Sequence, residues 1–258
     1  MLPACHTLTR VTASPLDDGA LPDLARVVLR PIRGHHAFEA CVEQLATAIR
    51  LGVHPNGSTL PPERELAERM QVSRATVREA ITALRTAGMV ETRRGRGGGS
   101  VVTYSPRTPR KRAGTPSDDT LAEWLDTLAF RRVVEPGAAA TAAALDLDDD
   151  QREMLTRAHE AVTRASGSAS HRQADGQFHL AFASVTGSPM IIEAVTRVQA
   201  ALHEMLLRIP VYGVNIAHSD QQHGRILRAV LDGRPDQARL VMEEHCDDTA
   251  ALLRGLLG

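Results

Sequence analysis

The chain has 258 residues, 43% of them hydrophobic, and no apolar run approaches the roughly 20 residues of a membrane span, so the expectation is a non-membrane protein of two modest domains. Cys5, Cys41 and Cys246 are too few and too scattered for a disulfide framework, and MLPACHTLTR lacks the basic-then-apolar design of a secretory signal, which points to the cytoplasm. The net charge of −1 argues against a nucleic-acid partner only until it is divided: residues 1–34 carry +1, residues 35–112 carry +6 and residues 113–258 carry −8.

Residues 1–34 hold four prolines and no sustained period beyond Leu24, Val27 and Val28, and are expected to form a mobile lead-in. From Phe38 the pattern Phe38, Cys41/Val42, Leu45, Ala48/Ile49 predicts a helix that stops at Gly52. A loop over Val53–Thr59 follows.

The stretch Leu60 to Gly88, LPPERELAERMQVSRATVREAITALRTAG, reads as two short helices and a tight turn. The first runs from about Pro62, which suits a first helical turn, to Met70, with Leu66, Ala67 and Met70 inward. Ser73 is placed to cap the second, which ends near Gly88. Val77, Ala80, Ile81 and Leu84 recur at three- and four-residue steps, leaving Arg74, Ala75, Arg78 and Thr82 on the opposite face. An exposed helical face with two Arg and small residues suits a DNA major groove, where guanidinium forks match guanine or phosphate. Arg64, near the start of the first helix, can grip the DNA backbone. An ordinary amphipathic helix with solvated Arg residues would look similar.

The next stretch favours the DNA reading. Met89–Arg94, Gly95–Ser100 and Val101–Tyr104 read as strand, glycine turn, strand, a basic hairpin carrying Arg93, Arg94 and Arg96. The glycines are not a nucleotide loop, because no Gly-Lys-Ser/Thr follows and a strand rather than a helix comes next.

From about Phe38 to Tyr104 the chain resembles the GntR family of winged-helix transcription regulators, whose pattern includes LPSERELA, VSRxTVREAL and a Gly-rich wing. Carried onto matching positions, the resemblance implies DNA contacts from Arg64, Ser73, Arg74, Thr76, Arg78, Arg94, Gly95 and Arg96. Pro62 departs from the family's usual Ser, and the wing is a residue longer than some. The winged helix-turn-helix thus spans 35–104. A Pro-rich basic linker follows at 105–117, where Arg107, Arg110, Lys111 and Arg112 could touch phosphate or simply be solvated.

From Asp118 onward every periodic stretch is helical, so the fold expected is mainly α: a winged helix-turn-helix with a small β-hairpin, then an all-α bundle over 118–258. Asp118 or Asp119 could cap a helix burying Leu121, Trp124/Leu125 and Leu128, and Pro136-Gly137 is expected to kink or restart the chain. Asp146–Asp150 offers caps for a helix through Met154, Leu155 and Val162. Helices are then expected at about Ser170–Val185, Pro189–Ile209, Ser219–Asp232 and Pro235–Leu256.

Asp175 and His179 stand four apart on one helical face, while His223 and His245 lie in later helices. One carboxylate and three imidazoles from a bundle can close around a divalent transition metal. On the residues alone a metal site is only one possibility, and surface or hydrogen-bonded core histidines are the commoner outcome. Residues Thr120 to Leu252 also resemble the ligand-binding FCD domain of the FadR subgroup of the GntR family, on the pattern Arg131, Glu135, Asp175, His179, His223 and His245. That resemblance implies a metal at the last four, Zn or Ni foremost, completed by a small organic acid. It also implies Arg131, and more weakly Arg197, as effector contacts. The acyl-CoA-sensing founder of the subgroup lacks this quartet, so its ligand does not transfer.

The whole reads as a homodimeric, metabolite-responsive regulator, expected to be a repressor, on a palindromic double-stranded DNA operator. The alternative is a metalloenzyme in which the metal activates water. It would need a proton acceptor beside that water. Glu135 and Glu244 are available but are more simply ion-pair or surface residues, and an enzyme has no use for the winged module.

Overall fold

The computed structural model describes residues 24, 28–32, 37–93, 99–105, 117–208 and 213–257. The first unit consists of α1 (Ala37–Arg50), α2 (Glu63–Met70), α3 (Arg74–Thr86) and the antiparallel hairpin β1 (Val90–Arg93) and β2 (Gly99–Val102). Leu45, Ile49, Leu66, Met70, Val77 and Leu84 form its centre, each at most 1% exposed. Burial of such side chains stabilises by about 1.5–3 kcal/mol each, which is what holds helices this short.

Local chemistry fixes the boundaries. Pro62, with φ −53° and ψ 144°, precedes the first helical residue of α2 instead of occupying it. The turn to α3 passes through Gln71 in the left-handed region, at φ 53°. Ser73 Oγ then accepts a hydrogen bond from Thr76 N at 3.0 Å, the expected cap. Gly88, at φ 72°, reverses the chain so that Met89 N donates to Leu84 O. In the hairpin Val90 faces Val102 and Arg93 faces Gly99, so β2 begins two residues earlier than the expected Val101. The wing tip, including Arg94, Gly95 and Arg96, lies outside the described residues, as does most of the linker.

The helical domain comprises α4 (Asp118–Ala143), α5 (Asp149–Arg164), α6 (Ser168–Val185), α7 (Pro189–Leu206), α8 (Gly213–Leu231) and α9 (Pro235–Leu257). Three expectations need correction. Ser117, whose Oγ accepts from Thr120 N, caps α4, while Asp118 and Asp119 sit in the first turn where carboxylates complement the helix dipole. Pro136 does not restart the chain. It deprives α4 of one hydrogen bond, but Arg131, Glu135, Ala138, Ala139 and Ala142 are buried on both sides and keep the helix continuous. Leu125 is 41% exposed, whereas Leu128 is buried. For α5 the expectation holds, since Asp148 and Gln151 form a reciprocal capping box.

The two units share a core. Ala138, Leu180, Ala183, Ile192 and Val195 of the helical domain join the cluster that contains the winged module. Leu24, Val28 and Leu29 are buried in that same cluster, and Ile32 N donates to Met70 O at 2.8 Å. This part of the lead-in is therefore packed, contrary to the mobile segment expected. Leu24, Val28 and Leu29 give it enough apolar area to bury.

Candidate functional site

The arginine-bearing face of α3 is built as the periodicity requires. Val77, Ala80, Ile81 and Leu84 are buried, and Arg74, Ala75, Arg78 and Thr82 are exposed. Ser73 and Thr76 join their hydroxyls at 2.8 Å, so both also shape the helix start. Arg78 forms a fork with Glu63 of α2, through Nη2 to Oε2 at 2.9 Å and Nε to Oε2 at 3.1 Å. The Glu63 carboxylate raises the Arg78 pKa. Arg64 is exposed and pairs with Glu68 one turn on. Sequence reading did not single out Glu63, whose part depends on the angle between α2 and α3.

In the helical domain α6 presents Asp175 and His179 one turn apart, α8 supplies His223 and α9 supplies His245. One ligand atom from each lies within 4.8 Å of all the others. The three imidazoles are buried and Asp175 is partly exposed. Their rings are in contact, with centroids 5.0 Å apart for His179 and His245 and 4.7 Å for His223 and His245.

Outer partners fix the rings. Glu135 Oε2 lies 2.9 Å from His179 Nδ1, receives Arg131 Nε at 2.9 Å, and its other oxygen receives Gln199 Nε2 at 2.6 Å. Gln222 Oε1 is 3.1 Å from His245 Nδ1, while its amide nitrogen donates to Asp248. Asp175 Oδ1 is 3.4 Å from His223 Nε2. This leaves His179 Nε2 and His245 Nε2 buried without hydrogen-bond partners, while His223 turns Nε2 toward Asp175 and holds Nδ1 3.9 Å from Asp220 Oδ1. Burial, then the neighbouring positive groups, holds His223 and His245 well below the ordinary histidine pKa, so both rings are neutral. Burial pushes Glu135 upward, yet Arg131, His179 and Gln199 outweigh it and hold the carboxyl far below its usual range.

Imidazoles oriented from behind and gathered on a carboxylate fit a divalent transition metal. They would hold it as one oxygen and three nitrogen ligands. The cluster opens on a cavity of about 370 Å³ whose lining includes Arg131, Arg172, Asp175, Ser219, Gln222 and His245. Arg131 thus lines the cavity beside the cluster. Arg197 is exposed on α7 and does not line the cavity. Sequence reading missed Arg172, although it stands one helical turn before Asp175.

The match to known proteins follows the same division. Residues 38–99 match the model of bacterial regulatory proteins of the gntR family, and residues 126–248 match the FCD domain. RmpR of Mycobacterium gastri, named for HTH-type transcriptional regulation, is 32% identical over 222 residues, covering 80% of this chain and 76% of its own. The chain belongs to the GntR family.

Among other GntR relatives, the HTH-type transcriptional repressor NanR of Klebsiella aerogenes is 29% identical over 248 residues, 88% of this chain and 89% of its own. The E. coli McbR/YncC structure shares the fold, with a TM-score of 0.52 at 17% identity, covering 86% of this chain and 99% of that one. These relatives are regulators, so the role is DNA-binding regulation and not catalysis. Glu135 and Glu244 agree with that: the first is saturated by Arg131, His179 and Gln199, and the second is an exposed partner of Arg225. No helix among the described residues is long and apolar enough to cross a membrane.

Proposed function

We propose that this GntR-family regulator is a cytoplasmic repressor of the FadR subgroup, and that a small organic acid bound at a metal on Asp175, His179, His223 and His245 modulates its operator binding. The observation that carries the reading is the convergence of three buried imidazoles and a carboxylate beside the cavity that also receives Arg131. A divalent transition metal there, Zn or Ni foremost, supplies positive charge and open coordination positions for a carboxylate. Arg131, held by Glu135, keeps Nη1 and Nη2 free for the same ligand. That the named relative NanR is a repressor supports the sign.

Arg74 and Arg78 read bases, with Arg64 and the wing residues Arg94, Gly95 and Arg96 on the backbone. Glu63 holds the Arg78 fork ready for its site. A homodimer on a palindromic operator suits this module, because one α3 covers too few bases for selectivity. Exposed Phe130 and Val133 on α4 and Leu240 on α9 offer an apolar surface for pairing.

The route between sites runs through α6. Asp175 and His179 occupy one face, and Gln173 and Gln177, offset by half a turn, occupy another. Gln173 Nε2 donates to Arg50 O and Gln177 Nε2 to Leu51 O, both at 3.1 Å, at the end of α1. A shift of α6 on acid binding is thereby transmitted to the DNA-binding unit. Thermal-shift screening of carboxylates, followed by operator binding with each hit, tests the reading. Stabilisation by neutral or cationic compounds alone would contradict it.

A further inference from the structure

Arg172 has no place in the scheme above. It lies on α6, is 7% exposed, and lines the same cavity as Arg131 and His245. Its Nε, Nη1 and Nη2 are all buried without a hydrogen-bond partner, and it forms no ion pair among the described residues. Burial lowers its pKa from the ordinary value, with a smaller opposing influence from the Tyr104 hydroxyl. A guanidinium nevertheless keeps its charge in proteins. His203, another buried neighbour, has both ring nitrogens unpartnered and is itself pushed down to about 4, by burial first and then by Arg172 and Arg50. It offers Arg172 no negative charge.

The two carboxylates lining the cavity are committed elsewhere. Asp175 stands with the imidazoles, and Asp248 Oδ2 receives Gln222 and pairs with His218 at 2.9 Å. Two residues lining one cavity therefore carry five buried guanidinium nitrogens without partners: Nη1 and Nη2 of Arg131, and Nε, Nη1 and Nη2 of Arg172. A carboxylate has two oxygens and engages one guanidinium fork. One carboxylate shared by the metal and Arg131 leaves Arg172 as an uncompensated buried cation, which is strongly unfavourable.

We propose that Arg172 is a second anion-recognising group of this cavity, so that the effector is a short diacid: a carboxylic acid bearing a second oxyanion, carboxylate or phosphate. This rests on the metal and carboxylate reading above and narrows it. The first carboxylate meets the metal and Arg131, the second oxyanion meets Arg172, and the carbon skeleton between them lies against Leu202, Leu206 and Leu252. The small cavity restricts that skeleton to a few carbons. Arg172 thereby sets specificity without being needed for metal binding.

Calorimetric titration of the metal-loaded, full-length protein with lactate, malate and 3-phosphoglycerate tests this. Wild type is expected to bind malate or 3-phosphoglycerate about tenfold or more tightly than lactate, the difference one charge-assisted pair supplies. Whichever is the tighter identifies the second group as carboxylate or phosphate. In Arg172→Met the preference disappears while lactate affinity stays within about twofold, and Arg172→Lys restores part of it. The melting temperature of Arg172→Met without added acid should equal or exceed that of wild type, because the lost charge had no partner; a structural arginine would give a fall. Equal binding of lactate and the two diacids by wild type, or a preference retained in Arg172→Met, overturns the proposal and leaves the metal and carboxylate reading standing. If none of the three acids binds, that reading falls and this inference with it.

Discussion

Two pairs of arginines stand in opposite settings. Arg74 and Arg78 are exposed on α3, and Arg78 is already forked to Glu63. Arg131 and Arg172 are buried beside a cavity and keep five nitrogens unpartnered. Solvated guanidiniums cost little to maintain and can exchange water for phosphate or a base edge. Buried ones are tolerable only with a counter-charge. The outer pair therefore suits a large, sequence-reading contact, and the inner pair a small anion that changes the energy of the fold when it binds.

The largest expected effect would break the inner half alone. Replacing His223 and His245 together by Ala should reduce metal from about one per chain to none, since two of the four ligands are lost. Elemental analysis of protein purified without an affinity tag measures it. Equal metal in wild type and variant, or none in either, would refute the site.

The next effect sharpens the outer half. Arg74→Ala and Arg78→Ala should each weaken specific operator binding by about tenfold or more while the fold stays intact. The check is a gel-shift titration at fixed salt with circular dichroism alongside; ordinary operator binding by both variants would contradict the assigned face.

A smaller effect concerns pH. Burial, aided by Arg69, lowers His54 to about 4, and burial aided by Arg172 and Arg50 lowers His203 to about 4. Each binds a proton more readily when unfolded, so each contributes stability that is complete above about pH 6.5 and is lost as pH falls toward 4. Chemical denaturation of metal-free protein across that range should show the decline, reduced in His54→Gln. A flat profile would count against neutral buried rings.

The smallest effect tests the connection between the halves. Gln173→Ala with Gln177→Ala should leave operator affinity without acid near that of wild type and diminish the change on adding acid. Coupling energies between sites are typically about 1–3 kcal/mol, and only part runs through these two bonds. Fluorescence anisotropy with a labelled operator measures both quantities, and an unaltered acid response would remove α6 as the route.

What the sequence discloses follows the same contrast. The α3 face is periodic and local, so Val77, Ala80, Ile81 and Leu84 identify the exposed Arg74 and Arg78 without any tertiary information. Asp175 and His179 share a face for the same reason. That His223 and His245 meet them depends on how α8 and α9 pack against α6, a long-range fact that spacing does not contain. Arg172 was hidden for a related reason: burial of an unpaired cation contradicts what an exposed-looking Arg in SHRQAD suggests. Pro136 misled in the other direction, because a local helix breaker was overridden by packing on both sides of it. Leu24, Val28 and Leu29 likewise have too little periodicity to declare the core they enter.

The central claim is that the histidine cluster governs what the reading helices do. Its most direct measurement is fluorescence anisotropy on an operator selected from random duplexes, with wild type and the His223→Ala, His245→Ala double variant, each titrated with malate, 3-phosphoglycerate and lactate. The account predicts that at least one acid shifts the operator affinity of metal-loaded wild type, whereas the double variant still binds the operator and ignores all three. An identical acid response in the double variant, or no response in wild type, would contradict it.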